Sequence, residues 1–169
     1  MGNLILIGFM GCGKTTVGQQ LAKRLNYNFL DTDKHIEEKL GRTVGRIFEE
    51  EGEEFFRRLE TETIKELTGN LDHAVISVGG GLPVRPGNAE ALRQLGTVIY
   101  LEVSKEVLAE RLKNDTTRPL LSGKDGLAKM ELLYDQRLPF YEAAADFKVV
   151  TGNKNLQEII NSIQERAKV

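Results

Sequence analysis

The chain has no tryptophan, one cysteine among 169 residues, four prolines and no long apolar run. A lone cysteine, Cys12, rules out an intrachain disulfide and a cysteine-based zinc site. It suits a reducing compartment, so a cytoplasmic location is expected. No stretch approaches the ~20 apolar residues of a membrane span. The N-terminal apolar run from Leu4 to Met10 is short and leads straight into glycines, so it reads as a strand and not a signal peptide. Neither sign of charge dominates, with 23 Lys and Arg against 25 Asp and Glu and a net charge of −2. That balance argues against a nucleic-acid binder driven by bulk charge, but leaves room for a basic patch over an anionic ligand. The length fits one domain, residues 1–169, with a single core. A monomer with no membrane or nucleic-acid partner is expected.

What is present is an alternation of short apolar runs and helical patterns. Asn3 to Gly8 is continuously apolar and β-branched, the signature of a strand buried on both faces. Lys14 to Leu25 has helical spacing, with Val17, Leu21, Ala22 and Leu25 on one side. Further strands are expected at Asn28–Asp31, Ala74–Val78, Thr97–Leu101 and Phe147–Val150. Helices are expected at Asp33–Leu40, Thr43–Glu50, Glu53–Leu67 and Pro86–Leu95, and from the N-cap Ser104 to about Asn114. Two more follow, Leu127–Ala145, interrupted at Pro139, and Leu156–Ala167. Asp115–Gly126 carries Thr, Pro, Ser and Gly without clean periodicity and reads as a mobile loop. The alternation predicts an α/β fold with a mostly parallel sheet covered on both faces.

Gly8-Phe-Met-Gly-Cys-Gly-Lys14-Thr15 matches G-x-x-x-x-G-K-[ST] in full. Glycines let successive backbone N–H groups turn toward one anion, and the helix opening at Lys14 adds its N-terminal dipole. Lys14 would meet the β- and γ-phosphates and Thr15 would offer a hydroxyl to Mg²⁺. Cys12, inside this loop, reads as a small residue that fits; the sharper alternative is a thiol activated by the helix terminus and Lys14.

Asp31-Thr32-Asp33 closes the second strand, where carboxylates face the ligand crevice of an open α/β sheet. On an extended segment, residues two apart point the same way. The pair suits Mg²⁺ water on one side and a substrate hydroxyl on the other. Helix capping by Asp31 or Thr32 is the plainer alternative. In Glu53–Leu67, at about 100° per residue, Phe56, Leu59, Thr63 and Leu67 form the core stripe; Glu60 falls inside it, Arg57 lies at its edge and Arg58 points away. A core-facing carboxylate needs a partner. Arg57 three residues earlier either makes a weak surface pair or is an arginine oriented to clamp a substrate carboxylate. Gly79-Gly80-Gly81 reads as a tight turn, or as bare backbone for a small ligand to rest against. Ser77 is placed near the Mg²⁺ region. Arg118 in the loop suits a closing lid that stabilises transferring phosphate. Arg137 precedes Pro139-Phe140-Tyr141. Arg111 and Lys154 are further basic candidates near the nucleotide, with plain solvated-surface alternatives.

Together, Gly8–Thr15, Asp31-Thr-Asp33, Phe56-Arg57-x-x-Glu60, Gly79-Gly-Gly81, Arg118-Pro-Leu-Leu121 and Arg137-x-Pro-x-Tyr141 resemble the shikimate kinase family over nearly the whole chain. Cys12 departs from the Ser or Ala expected of many relatives. The resemblance implies a P-loop fold of the nucleoside-monophosphate-kinase type, with five parallel strands in the order 2-3-1-4-5. It places an acceptor-binding region at about 32–61 and a lid at about 112–125. The implied reaction moves the γ-phosphate of ATP to the 3-hydroxyl of shikimate, with Mg²⁺ as cofactor. Lys14, Asp33 and Arg118 would be catalytic, and Gly11, Cys12, Gly13, Lys14, Thr15, Thr16, Arg111, Arg118 and Lys154 would contact ATP. Asp33, Arg57, Gly79, Gly80, Gly81, Arg137, Phe48 and Phe56 would contact shikimate. Thr15 would bind Mg²⁺ directly, with Asp31 and Ser77 holding its waters. A gluconate kinase of the same fold, or a non-catalytic ATP-dependent binding module, are the alternatives.

Overall fold

The computed structural model describes residues 2–113 and 125–169. The lid expected at about 112–125, and Arg118 with it, falls almost wholly outside the described residues.

Strand β1 (Asn3–Ile7) is buried at every residue. An alternating strand exposes one face, so unbroken burial means that both faces of the sheet are covered here. β1 lies in the middle of a parallel sheet of order β2-β3-β1-β4-β5, with β2 (Asn28–Asp31), β3 (Ala74–Ser77), β4 (Gly96–Glu102) and β5 (Phe147–Val150). This is the expected order. Asn3 is buried, and its amide stitches three segments. The Nδ2 group donates to the carbonyls of Leu71 (2.8 Å) and Leu95 (3.0 Å), and Oδ1 accepts from Ala74 N–H (3.1 Å).

Helix α1 (Lys14–Leu25) packs on β1–β3 and on α8 (Leu156–Ala167). Helices α2 (Thr32–Leu40), α3 (Val44–Glu51) and α4 (Glu53–Leu67) cluster beyond β2, around their own apolar centre of Ile36, Ile47 and Phe56. Helix α5 (Asn88–Leu95) joins β4, and α6 (Lys105–Leu112) contacts α7 (Gly126–Ala144), which packs in turn on α5 and on a 3-10 turn at Leu82–Val84.

Several expectations need correction, among them α5, which opens at Asn88 after the N-cap Gly87 and not at Pro86. Helix α2 opens at Thr32, one residue early, because Asp31 itself is the N-cap and accepts from Lys34 N–H at 3.1 Å. The 3-10 turn after the three glycines was not expected. Helix α7 runs unbroken through Pro139, although proline lacks the N–H that would reach the carbonyl four residues earlier. Tyr134 and Arg137 before it, and Tyr141 and Ala144 after it, are all buried. Both halves of the helix are therefore anchored, and this packing outweighs the lost hydrogen bond.

Candidate active site

The phosphate loop follows from its glycines. Gly11 (φ +80°) and Gly13 (φ +96°) occupy the left-handed region, which costs glycine nothing. Gly13 is the N-cap of α1 and offers no side-chain cap, so the first N–H groups of the helix are available to an anion. The Lys14 side chain is buried, with its ammonium donating to the carbonyls of Gly8 (2.8 Å) and Phe9 (3.1 Å). Cys12 is 3% exposed, with its sulfur 3.6 Å from that ammonium. From α6, Arg111 donates to the Gly11 carbonyl at 2.9 Å, which places it against the loop.

The acidic pair sits across from Thr15. Asp31 pairs in register with Ser77 at the ends of β2 and β3, and its carboxylate accepts from the Thr15 hydroxyl at 3.3 Å. Capping and site placement therefore coexist in Asp31. Asp33 is one residue into α2 instead of on an extended segment, yet it lines the same cavity of about 260 Å³ as Asp31, Lys14, Thr15, Thr16 and Ser77. These oxygen donors beside the phosphate loop fit Mg²⁺, which prefers oxygen ligands and keeps several of its waters.

A second cavity of about 620 Å³ adjoins the first, lined by Phe48, Phe56, Arg57, Glu60, Arg137 and the three glycines. Met10, Thr15, Asp31, Asp33, Gly79 and Gly80 line both. The walls of the second cavity are charged and buried. Arg57 Nη1 donates to Glu60 Oε2 at 2.9 Å, and its guanidinium lies 5.8 Å and 5.5 Å from the ring centres of Phe48 and Phe56. Arg137 is 5% exposed and sits 5.7 Å over the ring of Phe9. Among the described residues, three buried polar atoms here have no hydrogen-bond partner: Asp33 Oδ1, Glu60 Oε1 and Arg137 Nη1. Orphaned buried polar atoms are rare and expensive. A cluster of both signs, facing one cavity, marks a place where a polar ligand completes the bonding.

Burial raises Asp33 to a pKa of about 6, reinforced by the Asp31 charge and opposed by Lys14 and Arg57. Burial likewise lifts Glu60 to about 7 against the pull of Arg57. For Arg137, burial disfavours the charged form, and the neighbouring Arg57 adds to this. Two guanidinium groups close together in a low-dielectric wall favour an anion between them.

The triple glycine also has a steric reason. A Cβ at Gly79 would lie 2.6 Å from Glu60 Oε1 and 2.7 Å from Asp33 Oδ1. At Gly80 it would lie 3.0 Å from Arg137 Nη1, and at Gly81 2.4 Å from Arg57 Cζ. A side chain at any of the three would collide with the site's own charged groups, while the bare backbone still lines the second cavity.

The structure thus gathers all but two of the expected residues, Lys154 and Arg118, into one crevice or its loop. Lys154 lies exposed in the turn between β5 and α8 and lines neither cavity. Arg118 is outside the described residues. Arg58 is exposed, as expected. Three contributors were missed. Thr32 is fully buried and accepts from Gly79 N–H at 3.1 Å. Glu37 lines the second cavity and accepts from Val44 N–H at 2.8 Å, fixing the start of α3. Tyr141 donates to the Gly80 carbonyl at 2.7 Å. A threonine between two aspartates was a signal for the first; Glu37 acts only seven residues away, across the turn between α2 and α3, and Tyr141, though it closes the Arg137-x-Pro-x-Tyr141 motif, reaches a carbonyl 61 residues away that no local pattern reports.

Known proteins agree with this geometry. The family model for shikimate kinase matches residues 10–168. A shikimate kinase of Symbiobacterium thermophilum is 44% identical over 97% of this chain and 95% of its own. One from Neisseria meningitidis serogroup C is 45% identical over 98% and 95%. The solved shikimate kinase of Acinetobacter baumannii in complex with shikimate superposes with a TM-score of 0.93 at 38% identity, covering 98% of this chain and 92% of that one. A gluconokinase of Sinorhizobium meliloti reaches a TM-score of 0.57 at 17% identity, a likeness of fold alone. The chain belongs to the shikimate kinase family.

Proposed function

We propose that the chain transfers the γ-phosphate of ATP to the 3-hydroxyl of shikimate, giving shikimate 3-phosphate and ADP, in chorismate and aromatic amino-acid biosynthesis. The observation that carries this reading is the shared wall of the two cavities. Asp33, Thr15 and the Gly79–Gly80 backbone face the phosphate loop on one side and the paired arginines on the other. A triphosphate and an acidic acceptor seated in them meet at Asp33.

Phosphoryl transfer demands positioning and charge neutralisation more than covalent help. Lys14 exchanges the loop carbonyls for β- and γ-phosphate oxygens, and the N–H groups of α1 hold the phosphates. Mg²⁺ bound with ATP supplies positive charge; Thr15 would hold it directly, with Asp31 and Ser77 on its waters. Arg57 and Arg137 grip the acceptor carboxylate, which satisfies the orphaned Arg137 Nη1. Phe48 and Phe56 shape the pocket wall. Asp33 Oδ1 accepts a hydrogen bond from the reacting hydroxyl and takes its proton as the new O–P bond forms and the bond to ADP breaks. A pKa of about 6 leaves Asp33 mostly ionised at neutral pH, ready for that role. Arg111 is placed to meet the nucleotide beyond the loop, and Arg118 would stabilise the transferring phosphate. Action as a cytoplasmic monomer completes the proposal; among the described residues no helix is long and apolar enough to cross a membrane.

The test is ADP formation with ATP and Mg²⁺, with either shikimate or gluconate added. Shikimate-dependent ADP release is expected, with gluconate inert. ADP release unaffected by shikimate, or faster with gluconate, would overturn the reading.

A further inference from the structure

Tyr141 takes no part in the chemistry described so far, yet its surroundings are those of the site. It is 1% exposed, on the same face of α7 as Arg137 one turn earlier. Its hydroxyl donates to the Gly80 carbonyl at 2.7 Å. A Cβ at Gly80 would be 3.0 Å from Arg137 Nη1 and 3.5 Å from Tyr141 Oη, so the phenol and the guanidinium flank one Cα, and the two groups interact. The ring is held from behind by Tyr100 of β4, with centroids 5.3 Å apart. Burial raises the phenol's pKa, so it stays a donor at any working pH.

We propose that Tyr141 is a positioning residue for the acceptor: its hydroxyl locks the Gly80–Gly81 peptide and braces Arg137 as one unit. In a planar trans peptide the carbonyl and the following N–H point in opposite directions. With the Gly80 carbonyl tied to α7, the Gly81 N–H is turned away from that helix, as a donor to the acceptor. Two adjacent glycines have little intrinsic preference for either orientation of that peptide, so an outside bond must choose. Tyr141 supplies it, while the same side chain flanks the arginine that grips the carboxylate. Removing the hydroxyl takes this donor from the half-buried Gly80 carbonyl, and the peptide is free to flip.

Tyr134, two turns earlier on α7, provides the control. It too is a buried tyrosine, but its hydroxyl donates to the Val103 carbonyl at 3.0 Å, away from the glycine turn. The inference rests on the shikimate-phosphorylating reading above. The experiment compares Tyr141→Phe and Tyr134→Phe with the wild type by steady-state kinetics, thermal unfolding and the shikimate-induced thermal shift. Tyr141→Phe is expected to raise the shikimate KM about tenfold, the scale of one buried hydrogen bond, with the ATP KM within about twofold. Its shikimate-induced shift should shrink in parallel. Tyr134→Phe is expected to lower the unfolding temperature but leave the shikimate KM in place. A Tyr141→Phe shikimate KM within about twofold of wild type, or raised no more than in Tyr134→Phe, would overturn the positioning role. Absence of wild-type turnover on shikimate would instead strike the functional reading itself.

Discussion

Gly79, Gly80 and Gly81 each lack a side chain for the sake of a different neighbour: the two carboxylates, Arg137 and Arg57. The glycines were plain in the sequence, and their use as bare backbone was the natural expectation. Their steric reason was hidden, because it depends on which distant side chains fold over them. Gly81 isolates the effect. Its backbone (φ −88°, ψ −11°) is ordinary right-handed helical geometry that alanine adopts freely. The whole cost of Gly81→Ala then falls on the Arg57 guanidinium, which must move off the point 2.4 Å from the new Cβ. A misplacement of ~1 Å in a positioning group costs up to ~100-fold, so the shikimate KM should rise at least about tenfold with the ATP KM unchanged. Steady-state kinetics of Gly81→Ala checks this; an unaltered shikimate KM would show that Arg57 does not need its seat.

At the scale of elements, α4 was the most legible part of the site. Its bounds and the inward placement of Glu60 followed from helical periodicity, and Glu60 is fully buried. The opening of α2 and the passage of α7 through Pro139 were not legible, since a cap and tertiary anchoring overrode local expectation. Helix α4 also carries a pH dependence. Burial raises Glu60 from 4.5 to about 7. The folded chain keeps a proton there that the unfolded chain loses above its ordinary pKa. This contribution to stability is complete below 4.5 and is lost as pH rises toward 7. Thermal unfolding of the substrate-free protein should therefore show a fall in midpoint between about pH 5 and about pH 7.5 that is smaller in Glu60→Gln. Gln keeps an acceptor for Arg57 but cannot titrate. Equal falls in both proteins would contradict the assignment.

For the whole molecule, the alternation of strands and helices was readable from composition and period, but the strand order was not. It came from the resemblance, because parallel neighbours are chosen by crossovers and not by local sequence. That order matters: it brings the ends of β1, β2 and β3 together, so the phosphate loop, Asp31 with Asp33, and the glycine turn converge. The α2–α4 cluster then carries Arg57 to the far side of the same crevice from Lys14. A division of labour follows, with one grip for triphosphate and another for acid. The most direct measurement is the pair of KM values for Arg57→Ala. Loss of charge-assisted hydrogen bonds predicts a shikimate KM about 100-fold higher with the ATP KM within about twofold. A shikimate KM that stays put, or an ATP KM that rises in step with it, would contradict the account.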